Sequence, residues 1–291
     1  MAAGNIKIHA FQVTAAENSQ PMESVLAKIQ GDPIDKRQRL VSQADIRMDD
    51  VVSEDGVWLM DFVLERFEGP GRVTPSAVTQ DFNMGKDDRF GEETAALYDP
   101  KSGYFLCQYN HRGVKSGRMF GYLAEYDRGH ASSYEGNLVL DPKAKAKLAR
   151  MTLARRLLVG IDPGALSKKD RQANLAMSFA ADAESRFDAN HIEVTVAVRG
   201  GPSERLQRNP VTQLLSSLRK ITGRSPDAVS KLKYYGKESD DGGIEEIDLL
   251  GQRLKMTVPN VPIGQGRRLT REGRYKALRR VWQEWKPILN I

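Results

Sequence analysis

The chain has little of what disulfide, zinc or membrane chemistry requires. Its only cysteine is Cys107, so an internal disulfide framework and a cysteine-based zinc site are excluded. The four histidines lie far apart, at positions 9, 111, 130 and 191, and no HExxH motif occurs. No apolar run reaches the length of a membrane span, and the first residues lack the basic start and long apolar stretch of a secretion signal. We therefore expect a cytoplasmic protein with no metal, no cofactor and no membrane span.

Recognisable catalytic motifs are equally scarce. Two glycine pairs, at 69 and 71 and at 264 and 266, lack the strand–loop–helix context of a dinucleotide or phosphate loop. Glu245, Glu246 and Asp248 lie near Lys255 in sequence, and carboxylates with a lysine can hold Mg²⁺ and activate water in a nuclease. These carboxylates adjoin the acidic segment 240–243, which is typical of an exposed turn. The sequence favours a non-enzymatic protein and keeps a divalent-metal nuclease as an alternative.

Positive charge is concentrated towards the C-terminus. The 291 residues include 44 basic and 38 acidic side chains, a net charge of +6. Residues 201–291 carry 18 basic and 10 acidic side chains, a net charge of +8, whereas the first 200 residues carry 26 and 28. Such asymmetry predicts an acidic partner for the C-terminal part, most simply nucleic acid. A solvated basic surface, or contact with a membrane or an acidic protein, is the alternative.

The last twenty-five residues, 267–291, hold the densest basic cluster, with eight basic side chains and two acidic ones. A closing helix is predicted to begin near Thr270. At 100° per residue its apolar residues form one stripe, which we expect to be buried. The stripe consists of Tyr275, Leu278, Trp282, Trp285 and Leu289.

The basic residues of this segment lie beside the apolar stripe. They would therefore stay exposed and be free to contact phosphates, and Arg279 and Arg280 in particular are expected to be accessible to solvent. The predicted phosphate contacts are Arg267, Arg268, Arg271, Arg274, Lys276, Arg279 and Arg280.

Two weaker candidates for function lie earlier in the chain. The segment 108–113, QYNHRG, follows an apolar strand, and strand ends that lead into loops often carry function. Within it His111 could act as a base and Tyr109 could stack on a nucleobase, although such residues more often close a hairpin. The other candidate is a second basic run, whose lysines share a face only if the run is a strand. It consists of Lys143, Lys145, Lys147, Arg150, Arg155 and Arg156.

The spacing of apolar residues predicts an α+β fold with two units, 1–188 and 189–291. The first unit is mixed, and the second has the order βαβββα and is basic. In the first unit the pattern predicts strands at 6–13, 57–67 and 155–161, a hairpin of 94–98 with 104–110, an exposed loop at 72–92, and helices at 21–29, 115–126 and 168–187. The last of these helices is expected to bury Leu175, Phe179, Ala183 and Phe187.

Three passages can be compared with known families: the middle passage 94–126, the predicted strand His191–Val198, and the basic end Arg267–Lys286. This layout resembles that of phage-exclusion proteins of the RexA type and Kiwa-system proteins of the KwaB type. The resemblance implies a cytoplasmic DNA-binding protein of bacterial or prophage defence that forms a homo-oligomer such as a dimer.

These observations together predict a non-enzymatic protein that binds DNA with little sequence preference, with double-stranded DNA favoured. The charge asymmetry supports binding, and no recognisable base-reading module is present to specify sequence. Two alternatives stay open. One is the divalent-metal nuclease, and the other is an assembly or adaptor subunit that docks on a protein through its aromatic C-terminal helix.

Overall fold

A computed structural model describes residues 2–130, 132–201, 204–225 and 227–291. Within these ranges the chain mixes helices with antiparallel sheets, which confirms the predicted α+β class. None of the helices in the described ranges is long and apolar enough to cross a membrane. The α-helices are α1 (Met22–Gly31), α2 (Ser116–Tyr126), α3 (Pro142–Arg150), α4 (Leu175–Phe187), α5 (Arg208–Arg224) and α6 (Arg271–Leu289). The strands are β1 (Ala3–Ala15), β2 (Gln38–Val41), β3 (Ala44–Glu54), β4 (Val57–Arg66), β5 (Arg72–Thr74), β6 (Ala77–Gln80), β7 (Phe90–Asp99), β8 (Tyr104–Gln108), β9 (Tyr134–Leu138), β10 (Leu153–Ile161), β11 (Ile192–Ala197), β12 (Val229–Lys237), β13 (Glu245–Asp248) and β14 (Lys255–Pro262).

An eight-stranded sheet forms the centre of the molecule. Its strand order is β14-β1-β8-β7-β4-β3-β2, and β9 pairs with the part of β1 that extends beyond β14. The long first strand thus connects both ends of the chain, since β14 lies near the C-terminus. In this register His9 lies opposite Lys255 of β14 on one side and opposite Cys107 of β8 on the other.

Different helices cover the two faces of the large sheet. Successive side chains of a strand point to opposite faces, so Met60 packs with α1 and α2 while Leu59 packs with α6. The closing helix begins where Thr270 accepts a hydrogen bond from the Gly273 amide, at 3.2 Å. Its apolar stripe packs against the sheet as predicted, although Tyr275 and Leu289 are only half-buried.

A second, four-stranded sheet has the order β11-β10-β12-β13 and packs with α4 and α5. The elements from β11 to α6 follow one another in the predicted order βαβββα. However, β14 is a strand of the large sheet and α6 packs on that sheet, whereas β10, which precedes residue 188, is a strand of the small sheet. The predicted boundary at 188 does not coincide with this grouping, because β14 pairs with β1 at the other end of the chain.

Two local expectations are corrected. The segment 72–92, expected as a loop, contains the exposed hairpin of β5 and β6 and the start of β7. Helix α4 begins only at Leu175, and it buries Ala183 but exposes Leu175, Phe179 and Phe187. Apolar spacing predicts which residues share a face, but it does not show whether another element covers that face.

Replacement of Trp282 by alanine is expected to lower the free energy of unfolding by about 3–5 kcal/mol, because its side chain is only 1% exposed. The matched control on the same helix is Ile288→Ala, whose side chain is 46% exposed and whose loss should change stability by no more than about 0.5 kcal/mol. Chemical denaturation of both variants measures the difference. Small and equal effects would show that α6 is not docked on the sheet.

Candidate functional site

Arg274, predicted to contact phosphate, is buried between α6 and the large sheet. Only 1% of it is exposed. Its guanidinium donates to both carboxylate oxygens of Asp61 in β4, at 2.5 and 2.8 Å, and its Nη2 lies 3.4 Å from Glu93. Asp61 itself is fully buried. Arg274 is therefore a structural residue that cannot reach a nucleic acid, and the prediction for it is wrong.

Most of the other predicted phosphate contacts are paired with carboxylates. Arg271 donates to Asp61 at 2.9 Å, and Arg268 lies 3.2 Å from Glu93. Arg279 is half-buried and pairs with Glu54 and Asp55, at the end of β3 and just after it. Two further pairs lie within the helix, between Lys276 and Glu272 at 2.6 Å and between Arg280 and Glu284 at 2.9 Å. In the part of the chain that the structure describes, Arg267 alone of the seven has no ion pair.

The carboxylates of the nuclease alternative are also occupied. Glu245 pairs with Lys147 at 2.7 Å, and Glu246 pairs with Lys233 at 2.7 Å. As neighbours on β13 the two glutamates point to opposite faces of the strand, so they cannot share one metal ion. Asp248 accepts the amide of Gly251 at 2.9 Å in a turn. No cluster of three or more metal-binding side chains occurs among the described residues.

The second basic run divides into paired and unpaired residues. Lys147 and Arg150 form ion pairs with Glu245 and Glu238, Arg155 donates to backbone carbonyls, and Arg156 stacks on Tyr235. By contrast, Lys143 and Lys145 are exposed and have no ion pair in the described ranges. The run is helical here, since α3 begins at Pro142 with Asp141 as its cap.

Lys143 belongs to a group of five basic residues that we call the basic band. Its members are contributed by strand ends and helix starts that are distant in sequence, and none has a carboxylate within ion-pair distance among the described residues. The band consists of Lys7, Lys115, Lys143, Arg253 and Lys255.

Pairing of the strands explains how the band assembles. The Tyr109 amide donates a hydrogen bond to the Lys7 carbonyl at 2.7 Å, which extends the pairing of β1 with β8 by one step. The chain then reaches Lys115, the residue that precedes α2. A bridge between Leu140 and Arg253 holds the start of β14 beside the segment that enters α3. The band therefore lies where the two sheets meet.

Aromatic rings support the lysines at one end of the band. The rings of His9 and Tyr109 stack with centroids 5.1 Å apart. Lys115 Nζ lies 4.7 Å from the centroid of Tyr109, and Lys7 Nζ lies 5.8 Å from it. Such contacts hold an ammonium group in place without neutralising it. The Tyr109 ring is already in contact with these three side chains, so it is not an open platform for a nucleobase.

The positive charge of the band acts on His9. The pKa of His9 is lowered to about 3, first by burial and then by the nearby charges of Arg253, Lys7, Lys255 and Lys115. The ring is therefore neutral at physiological pH. Its Nε2 and the Nε of Arg253 are buried without a hydrogen-bond partner among the described residues.

The space around the band is an open groove beside a small cavity. The cavity next to His9 measures about 20 Å³, close to what one water molecule requires, so a phosphate group does not fit inside it. The groove measures about 480 Å³, and its charged lining consists of Lys143, Lys147, Arg253 and Lys255 together with one carboxylate, that of Asp141. An anionic ligand would therefore contact the band from its solvent side.

Two members of the band lie at positions that a helix disfavours for cations. Lys115 is the residue before α2, and Lys143 is in the first turn of α3. The N-terminal end of a helix carries partial positive charge, which repels a cation and attracts an anion. Burial also lowers the pKa of Lys115, which shows a further cost of the charge at this position. This arrangement favours a ligand that brings negative charge.

Part of the band could be anticipated from sequence. Of the candidate segment 108–113, Gln108, Tyr109 and Asn110 line the cavity next to His9, and the candidate Lys143 lines the groove. Lys7, His9, Lys115 and Arg253 were missed as site residues, and Lys255 was considered only for the nuclease alternative. Single basic residues in strands give no local signal, and only the pairing of β1 with β14 brings them together.

The fold and the site define an α+β protein with a concentrated basic surface at the junction of two antiparallel sheets, whose five cations form no ion pair among the described residues. The chain belongs to a family of unknown function, DUF6731, whose model matches residues 7–286. The match includes every residue of the basic band and nearly all of α6. No curated protein matches the chain.

Replacement of Arg274 by alanine is expected to cost about 3–5 kcal/mol of stability, because it leaves the Asp61 carboxylate buried with only Arg271 as a partner. Arg280→Ala removes an exposed pair on the same helix and should cost no more than about 1 kcal/mol. Urea titrations of both variants make the comparison. Equal costs would contradict a structural role for the buried pair.

The low pKa of His9 predicts an acid sensitivity. Folded protein keeps His9 neutral down to about pH 3, whereas the unfolded chain binds a proton below about pH 6.5. The contribution of His9 to the free energy of unfolding is therefore fully present above pH 6.5. It is lost as the pH falls towards 3, by at most about 1.4 kcal/mol per pH unit. The difference in unfolding free energy between the native protein and His9→Asn, measured across this range, isolates the contribution. Parallel curves would show that His9 is not held neutral.

Proposed function

We propose that this protein binds nucleic acid, with double-stranded DNA favoured, by contacting phosphates through the basic band. The observation that carries the proposal is the gathering of five cations without carboxylate partners at one place in the described structure. A surface of this kind attracts polyanions, and phosphate contacts supply most of the affinity of non-specific DNA binding.

Electrostatic repulsion within the band supports this proposal. Lys7, Lys115, Arg253 and Lys255 all depress the pKa of His9, so each places positive potential at the same point. This potential opposes folding and is relieved when an anion binds. On α6, by contrast, five of the six basic residues have acidic partners among the described residues, so binding a phosphate there would first require existing ion pairs to break.

The geometry favours duplex over single-stranded nucleic acid and little sequence preference. Proteins that bind single strands offer aromatic faces on which bases stack. At the band Tyr109 is flanked by His9 and two lysines. Cationic contacts from strand ends and helix starts position a phosphate backbone but do not read base edges.

The two alternatives find less support. The carboxylates needed by a nuclease are held apart in separate ion pairs. An adaptor that docks through an aromatic C-terminal helix would need exposed rings, whereas Trp282 and Trp285 are each only 1% exposed. We keep the non-enzymatic binding protein as the proposal.

The cellular setting belongs to the same proposal. Resemblance to RexA-type and KwaB-type proteins supports a cytoplasmic role in bacterial or prophage defence, with the protein acting as a homo-oligomer such as a dimer. A DNA-binding protein without base readout suits such a role, since it would engage invading DNA irrespective of sequence.

The double variant Lys143→Glu with Lys255→Glu is expected to weaken binding of a duplex strongly, because two attractions become two repulsions. Native affinity should be on the order of micromolar at physiological salt, and the slope of log affinity against log salt should fall by about one for each lost contact. Binding curves for a labelled duplex across a salt series measure both quantities.

The matched control is Lys276→Glu with Arg280→Glu, which changes net charge by the same amount on the exposed flank of α6. Unchanged affinity in this control, with normal melting of both variants, would assign binding to the band. If the α6 variant alone loses affinity, the exposed flank of α6 is the DNA-binding surface, as the sequence predicted. A flat salt response would contradict nucleic-acid binding, and cleavage of the duplex with added Mg²⁺ would favour the nuclease.

A further inference from the structure

Strand β11 forms a free edge of the small sheet. In the described ranges it pairs only with β10, without a register shift between Arg156–Ala197 and Ile161–Ile192. The Val198 amide donates to the Arg155 carbonyl at 3.1 Å. Hydrogen-bonded pairs alternate along an antiparallel ladder, so the even-numbered residues of β11 bond to β10.

The backbone groups of the odd-numbered residues therefore point outward from the sheet. Those of Glu193, Thr195 and Ala197 are free to pair with another strand, and all three residues are exposed. Proteins usually block such an edge with proline, lysine or a bulge. The strand Ile192–Ala197 contains neither proline nor lysine, and it has no bulge. It is thus a regular template for one more strand.

Helix α4, which contacts β11, also exposes large apolar side chains. Ile192 and Val194 pack against the core that contains Met177 and Ala180 of α4. On the same helix Leu175 is 87% exposed, Phe179 57% and Phe187 79%. Exposed large apolar side chains grouped on one helix are typical of a contact surface. Because α4 contacts β11, a partner that pairs with the strand would approach these side chains as well.

We propose that this partner is a second copy of the chain, whose β11 pairs antiparallel with the first β11 across a two-fold axis. A strand is its own antiparallel partner, and two-fold interfaces bring the same patch together from both subunits. The pairing joins two four-stranded sheets into one continuous sheet and brings the two α4 helices together on one face.

Charge complementarity selects the register. When Val196 lies on the two-fold axis, Glu193 of one chain lies opposite Arg199 of the other, twice over. Arg199 is exposed and has no ion pair among the described residues, so it is free for this contact. Glu193 already pairs with Lys231 of its own chain, and Arg199 would approach it from the open side of the strand. Opposite charges directly across a strand pair are stabilising and like charges are destabilising.

The proline variant Thr195→Pro tests the edge. Because the Thr195 amide faces away from β10, proline removes a donor from the pairing between chains but not from the fold. Native protein is expected to sediment as a dimer, and this variant as a monomer with an unchanged melting temperature. Thr195→Val keeps the amide and should remain dimeric. A monomeric native protein, or a proline variant that dimerises with native affinity, would overturn the proposal.

Arg199→Glu tests the register of the strand pairing. If the proline variant has a lowered melting temperature, this substitution tests the dimer in its place. The substitution places a second carboxylate opposite Glu193, so dimerisation should weaken by on the order of tenfold or more. Adding Glu193→Arg to the same chain restores opposite charges and should recover dimerisation. Sedimentation velocity over a concentration series measures all of these constants. Failure of Arg199→Glu to weaken the dimer would rule out this register, and the DNA-binding measurements on the basic band do not affect the result.

Discussion

The buried ion pair between Asp61 and Arg274 is the interaction on which the arrangement of this protein depends. It joins β4, in the middle of the large sheet, to a helix more than two hundred residues later in the chain. A charge buried alone is expensive, so the two residues stabilise the fold only when the helix is correctly seated. With α6 in place, β14 lies beside β1 and completes the sheet edge. The basic band exists because that edge places Arg253 and Lys255 next to His9.

The structure separates two uses of positive charge. Among the described residues, every basic residue of α6 except Lys286 is matched to an acidic partner, either within the helix or on β4, β7 and the end of β3. Their contribution is to position the helix. In the band the cations come from several elements, two of them at helix starts, and none forms an ion pair among the described residues, so their field reaches solvent. Basic residues that are clustered along the sequence are therefore not the ones that are clustered, without acidic partners, in space. The clustering in space determines where an anion binds.

The proposed dimer would leave the division between the two sheets intact. The large sheet carries α6 and completes the band, while the small sheet carries the free edge β11 and the exposed residues of α4. The band also lies near α5, which packs on the small sheet, since Thr222 of α5 lines the cavity next to His9. Association through β11 would extend the small sheet while binding of DNA uses the junction of the two sheets, so each surface can be altered without disrupting the other.

Local pattern determined the fold class, the order βαβββα, the hairpin of β7 and β8, and the start and apolar stripe of α6. These features depend on residues close in sequence, whose spacing and capping are visible in the chain itself. Tertiary structure decided that Arg274 is buried, that α4 leaves Phe179 exposed, that β14 leaves its sequence neighbours for β1, and that five scattered cations form one band. Each of these depends on which distant segment covers a given face, and no local periodicity encodes the identity of that partner.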